Sequence, residues 1–178
     1  MRVAPRLSSM NASTAPAAPD LTAERSPGRV ARRVAAWALF SALLSVALKA
    51  CLLTANSFPF NADEAIVALM ARHILQGDWP AFFYGQAYMG SLDASLVAAG
   101  FSLFGQHVQV IRGIQVLLYA GAVISGVWLS WRVTRSHVAA AVAGLLLAIP
   151  CINLTLYTTV SLGGYGEALL LGQCLLLL

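Results

Sequence analysis

This sequence predicts an all-α fold, a polytopic bundle of about four transmembrane helices, from its composition, the length of its apolar runs and the placement of its charges. Hydrophobic residues make up 59% of the 178-residue chain, charged residues only 10%, and the mean hydropathy is +0.75. No single core of a water-soluble domain this size hides that much apolar surface, so lipid is the expected solvent. Six of the eleven basic residues precede Ala35, and no acidic residue stands between Asp93 and Glu167. The net charge of +4 therefore reads as a topology signal. With no basic stripe interleaved with aromatics, nucleic acid is not an expected partner.

Residues 1–33 are rich in Ala, Pro, Ser and Arg, carry Pro5, Pro16, Pro19 and Pro27, and lack hydrophobic periodicity. They are expected to form a disordered basic tail. Residues 34–53 make the first apolar run. Arg25, Arg29, Arg32 and Arg33 just ahead of it place the tail in the cytoplasm by the positive-inside rule. Lys49, near the far end of the run, is expected to snorkel to the interface.

A polar and aromatic external loop, 56–109, comes next. Within it, 63–76 reads as a short amphipathic helix with Ile66, Leu69, Met70 and Ile74 on one face. The stretch 91–104 is mildly apolar, only about 14 residues long, and carries Asp93, so it is expected to lie at the interface without crossing. Charge agrees: the next run, 110–131, ends at Arg132 and Arg135, which fall on the cytoplasmic side only if 91–104 stays outside. Residues 137–153 then lead outward, and 167–178 open a last span at the outer face. That run has only about 12 residues, roughly 18 Å against a hydrocarbon core of roughly 30 Å, so the chain is expected to continue past Leu178. Cys51, Cys151 and Cys174 lack metal-ligand or redox spacing and are expected to be small buried hydrophobes.

Two clusters could carry chemistry. Asn61-Ala62-Asp63-Glu64 sets two carboxylates at the start of a helix. Asn61 as N-cap with Glu64 as its capping-box partner accounts for Glu64 structurally. Asp63, partly desolvated at the lipid boundary, is suited to accept a proton from an attacking hydroxyl. The second cluster, 82–93, alternates aromatics with Gly, Gln and Ser. It could be an interfacial aromatic belt, but the side chains of Tyr84, Gln86 and Tyr88 are also the hydroxyl, amide and ring groups that bind sugars.

The order of a single span, then Asp63-Glu64 opening the segment to Gly77, then Phe83-Tyr84-Gly85-Gln86-Ala87-Tyr88-Met89-Gly90-Ser91-Leu92, resembles the amino-terminal region of membrane glycosyltransferases of the C-type (GT-C) fold. This group includes the family 39-like protein O-mannosyltransferases and the aminoarabinose transferases. Ala87 stands where the pattern has proline, and Asp93 where it has glutamate. The resemblance implies that Asp63 lies at the catalytic centre and helps activate the acceptor, and that a second acid at the mouth of a later external loop falls on Glu167. It implies an inverting transfer from a polyprenyl-phosphate-linked sugar to an acceptor hydroxyl, in a multi-pass protein of the cell inner membrane with a cytoplasmic N-terminus. Catalytic residues are then Asp63, Glu64 and Glu167. Tyr84, Gln86, Tyr88, Arg72 and His73 would bind substrate. No cofactor is expected beyond the lipid-linked donor, and no metal-ligand constellation stands in the sequence.

Two other classes fit a chain of this kind. A transporter or lipid flippase would place acids or broken helices at the bilayer midplane, whereas these acids collect at one face. A non-enzymatic membrane scaffold would need none of the acids. In every case membrane lipid is an expected partner.

Overall fold

The structure, a computed structural model, describes residues 27–178. These residues are mostly helical: α1 (Pro27–Thr54), α2 (Ala62–Leu75), α3 (Leu92–Phe104), α4 (Val108–Thr134), α5 (His137–Ala148), α6 (Ile152–Tyr157) and α7 (Tyr165–Leu177), with strands β1 (Phe82–Phe83) and β2 (Gln86–Gly90) between α2 and α3. Two helices, α1 and α4, are long and apolar enough to cross a membrane. The runs expected as further spans form shorter helices, α5 of 12 and α7 of 13 residues, each roughly 20 Å long.

Three expectations need correction. The disordered tail was placed at 1–33, but α1 already begins at Pro27; 1–26 lie outside the described residues. The long basic first turns cost little in a helix, since arginine is a good helix former. The all-α expectation missed a hairpin: β1 and β2 pair antiparallel, Phe82 opposite Gly90 and Phe83 opposite Gln86. The aromatic residues of 82–90 favour extended pairing. All three cysteines are exposed, because they occupy outward surfaces of the bundle, where a small apolar side chain is as compatible with lipid as with a core.

Helix α4 is the axis of the packing. Its end meets the start of α1: Val34, Ala38, Val127 and Ala140 form a buried cluster flanked by Val30, Trp128 and Trp131. Its middle packs on α1, α5 and α7 through Ala42, Tyr119, Ala122 and Val123, flanked by Leu147, Leu169 and Leu170. Thus α1 and α4 run antiparallel. The end of the bundle that carries Arg29, Arg32 and Arg33 on α1 also carries Arg132 on α4 and Arg135, which caps it. At Gly144 of α5 a Cβ would come within 2.5 Å of the Ser41 hydroxyl and 2.8 Å of Val127. Only a glycine lets α5 approach both long helices so closely.

At the opposite end α2, the hairpin and α3 form a cap on the first turns of α4. Its core is Val67, Met70, Ala71, Ile74, Phe83, Ala94, Val97, Ala98, Phe101 and Ile111. The apolar face of α2 supplies the first four of these, its helical spacing turning them all toward α3. Asn61 starts α2, its side chain accepting the Glu64 N–H at 2.9 Å.

Candidate functional site

Four carboxylates, Asp63, Glu64, Asp93 and Glu167, lie at the cap end of the bundle, and side chains spaced along one face of α4 sort them. Arg112, Gln115 and Tyr119 stand at i, i+3 and i+7, so all three point the same way. Each meets a different polar partner.

Arg112 takes Glu64. Its Nε donates to Oε1 and its Nη2 to Oε2, both at 2.9 Å. The remaining guanidinium donors reach the carbonyls of Phe58 and Pro59 at 3.2 and 3.3 Å. Glu64 is 0% exposed. A two-point pair of this kind has the geometry in which arginine binds a carboxylate most strongly. Its effect is to fasten the connection after α1, and the first turn of α2, to α4.

Gln115 takes Asp93, its Nε2 donating at 2.7 Å to Oδ1, while the Ser161 hydroxyl donates to the other carboxylate oxygen. Asp93 is 2% exposed. Burial pushes its carboxyl up from the ordinary value of 3.8, and the Ser161 and Gln115 hydrogen bonds pull against that rise. Beside this pair sits Glu167, 7% exposed, in the first turn of α7. One of its oxygens, Oε2, is buried without a hydrogen-bond partner among the described residues. Two consecutive glycines with positive φ, Gly163 at 79° and Gly164 at 93°, turn the chain into α7. A Cβ on Gly166 would come within 2.7 Å of the Gln115 amide oxygen, which is how closely α7 approaches the Asp93 partner.

Tyr119 takes Lys49. The ammonium lies 4.4 Å from the ring centroid, and donates to the hydroxyls of Thr158 and Thr159 at 2.8 and 2.7 Å and to the Thr158 carbonyl at 3.1 Å. Lys49 is 2% exposed. The expectation that it snorkels outward is therefore corrected: the chain after α6 supplies enough oxygen to hold the charge inside the bundle. The Tyr119 hydroxyl in turn donates to the Leu147 carbonyl at 2.7 Å.

The expected site residues are thus distributed unevenly. Asp63 is half-buried in the first turn of α2 and has no hydrogen bond or ion pair among the described residues. It is not brought into contact with Glu167, and Glu64 is consumed by Arg112. His73 and Tyr84 do meet, Nδ1 to hydroxyl at 2.7 Å, which ties α2 to the hairpin turn. Gln86 is half-buried on β2, Tyr88 is 83% exposed, and Arg72 is exposed. Sequence reasoning missed Gln115, Ser161, Thr158 and Thr159 as polar partners. It also passed over the stacked pair Tyr157 and Tyr165, whose centroids lie 4.9 Å apart beside the start of α7.

Among the described residues no group of three or more His, Cys, Asp or Glu is placed to hold a metal ion. A cleft of about 260 Å³ opens beside Lys49, lined by Leu48, Cys51, Leu52 and Pro150 among others, but it is apolar and away from the carboxylates. No family model, curated protein or solved structure matches this chain.

Proposed function

We propose that this chain carries the acceptor-activating part of a membrane glycosyltransferase that moves a sugar from a polyprenyl-phosphate donor to a hydroxyl at the outer face of the membrane. The observation that supports this most directly is the division of labour within the acidic pair. Glu64 is neutralised and anchored by Arg112, while Asp63, one residue earlier, is half-buried on the rim of the cap and unpaired among the described residues. A carboxylate in that position is available as a base, and its neighbour's ion pair holds it in place.

In this reading Asp63 takes the proton as the acceptor oxygen bonds to the anomeric carbon. The bond from that carbon to the phosphate oxygen breaks, its electron pair leaving with the polyprenyl phosphate, and the configuration inverts. Glu167 would act from the first turn of α7, with Tyr84, Gln86 and Tyr88 beside the sugar. The arginines at the other end favour a cytoplasmic placement for the start of α1, and a multi-pass arrangement in the inner membrane follows if α5 and α7 join α1 and α4 in the bilayer. The assay is transfer of labelled sugar from polyprenyl-phosphate donors by the full-length protein in vesicles. Asp63→Asn should lower turnover by about 10² or more; undiminished turnover removes Asp63 from the mechanism.

A transport reading draws on a different observation, the buried Lys49 ammonium within α1, since charges inside a bundle commonly mark ion or substrate paths. Substrate flux into sealed vesicles, with no chemical change in the lipid-linked sugar, would favour it over group transfer.

A further inference from the structure

We propose that the cleft between the end of α4 and Leu177 of α7 is a headgroup site for an anionic phospholipid. It rests on the membrane placement of α1 and α4 and is independent of sugar transfer. The cleft holds about 350 Å³ and is lined by Trp128, Trp131, Arg132, Arg135 and Leu177. Arg135 lies over the Trp131 ring at 5.6 Å, and Trp131 meets Trp128 edge to face at 5.5 Å. The stacking fixes one guanidinium at the mouth of the cleft. Arg132 is exposed and has no ion-pair partner among the described residues.

Charge decides the class of ligand. The described acids, Asp63, Glu64, Asp78, Asp93 and Glu167, all belong to the cap end, so no carboxylate among the described residues competes for these arginines. Arg29 and Arg32 line a second hollow of about 330 Å³ on α1 at the same end, which adds to the positive field. A zwitterionic headgroup gains less here. It brings a cation into that field, and the Trp131 face that could receive a quaternary ammonium is already covered by Arg135. The apolar part of the site favours a lipid over a free phosphate: Leu177 lines the cleft, and the neighbouring Val133, Leu175 and Leu176 are exposed large hydrophobics along which acyl chains can lie. Tryptophans at this level sit where rings partition into the headgroup region.

The test is tryptophan quenching in the full-length protein with Trp37, Trp79 and any tryptophan outside residues 1–178 replaced by Phe, so that the emission comes from Trp128 and Trp131. The protein is reconstituted in phosphatidylcholine vesicles containing brominated phosphatidylglycerol or, separately, brominated phosphatidylcholine. The expected result is a relative association constant about five-fold or more in favour of the anionic lipid. Arg132→Gln with Arg135→Gln should bring that ratio close to one while quenching by brominated phosphatidylcholine stays unchanged, which shows that the variant is folded and inserted. Equal quenching by the two lipids in the parent protein overturns the proposal, as does an anionic preference that survives the double substitution. Displacement by millimolar glycerol phosphate also overturns it, since that would identify a free-phosphate site. Quenching by neither lipid refutes the membrane placement itself, and the headgroup site with it.

Discussion

Arg112 holds Glu64 by two hydrogen bonds, Nε to Oε1 and Nη2 to Oε2, each 2.9 Å long, with the carboxylate fully buried. This pair joins residues 48 positions apart and fastens the cap to the bundle. Removing one partner leaves the other charge buried and alone, which commonly costs about 3–5 kcal/mol. Arg112→Leu should therefore lower the unfolding free energy in detergent by about that much. Arg112→Lys should recover only part of it, because an ammonium cannot reproduce the two-point contact. Chemical denaturation of the three proteins checks both statements.

Asp63→Asn should behave differently from Glu64→Gln, although the residues are neighbours. Asp63 contributes mainly through the positive end of α2, an effect of about 0.3–1 kcal/mol, so its loss should barely move the denaturation midpoint. Glu64→Gln should shift it clearly. Equal shifts would show that the pair is not divided as described.

Asp93 links stability to pH. Its native carboxyl binds a proton more readily than the ordinary value of 3.8 because it is buried. The folded state therefore holds more protons than the unfolded state once pH rises above that ordinary value, and stability falls with rising pH until the native group has ionised too. One such group gives a slope of at most about 1.4 kcal/mol per pH unit. Asp93→Asn keeps an oxygen for the Gln115 or Ser161 donor and should flatten this part of the profile, with a gain in stability at neutral pH relative to the parent. Melting curves from pH 4 upward, in about half-unit steps, decide it.

Lys49→Met removes a charged donor from the Thr158 and Thr159 hydroxyls and the Thr158 carbonyl. Hydrogen bonds to charged groups contribute about 1.5–3 kcal/mol and buried acceptors left unmet carry their own penalty. Hydrogen exchange should quicken across 155–164 and stay slow in α2 and α3, which Lys49 does not touch. Uniform acceleration would mean that Lys49 supports the whole fold instead of one segment.

Gly144→Ala should loosen the contact of α5 with α1 and α4. The new methyl would stand 2.5 Å from the Ser41 hydroxyl and 2.8 Å from Val127, and overpacking of this kind costs about 1–3 kcal/mol. Pairing the substitution with Ser41→Gly frees the tighter of the two contacts and should restore part of the loss, as measured by thermal aggregation in detergent.

Much of the architecture was legible in the linear pattern. The apolar runs at 34–53 and 110–131 mark the places of α1 and α4, because helix length and hydropathy are properties of consecutive residues. The Asn61 cap is equally local, so the start of α2 could be read directly. Its expected apolar face, Ile66, Leu69, Met70 and Ile74, holds only for Met70 and Ile74: Val67 and Ala71 complete the buried side and Leu69 is exposed, because the packing of α3 decides how far the helix is turned about its axis. The hairpin at 82–90 could not, since the same aromatic alternation suits an interfacial loop.

Charge segregation also belongs to the sequence: basic residues flank the runs on one side and acids crowd the stretches between them, whatever the packing. Which acid is neutralised belongs to the tertiary structure alone. Glu64 finds Arg112 across 48 positions, Asp93 finds Ser161 across 68, and Lys49 finds Thr159 across 110. Hydropathy and capping act on single residues and near neighbours, whereas these pairs exist only once α4 brings distant segments side by side. Folding thereby turns one of two adjacent carboxylates into an anchor and leaves the other open.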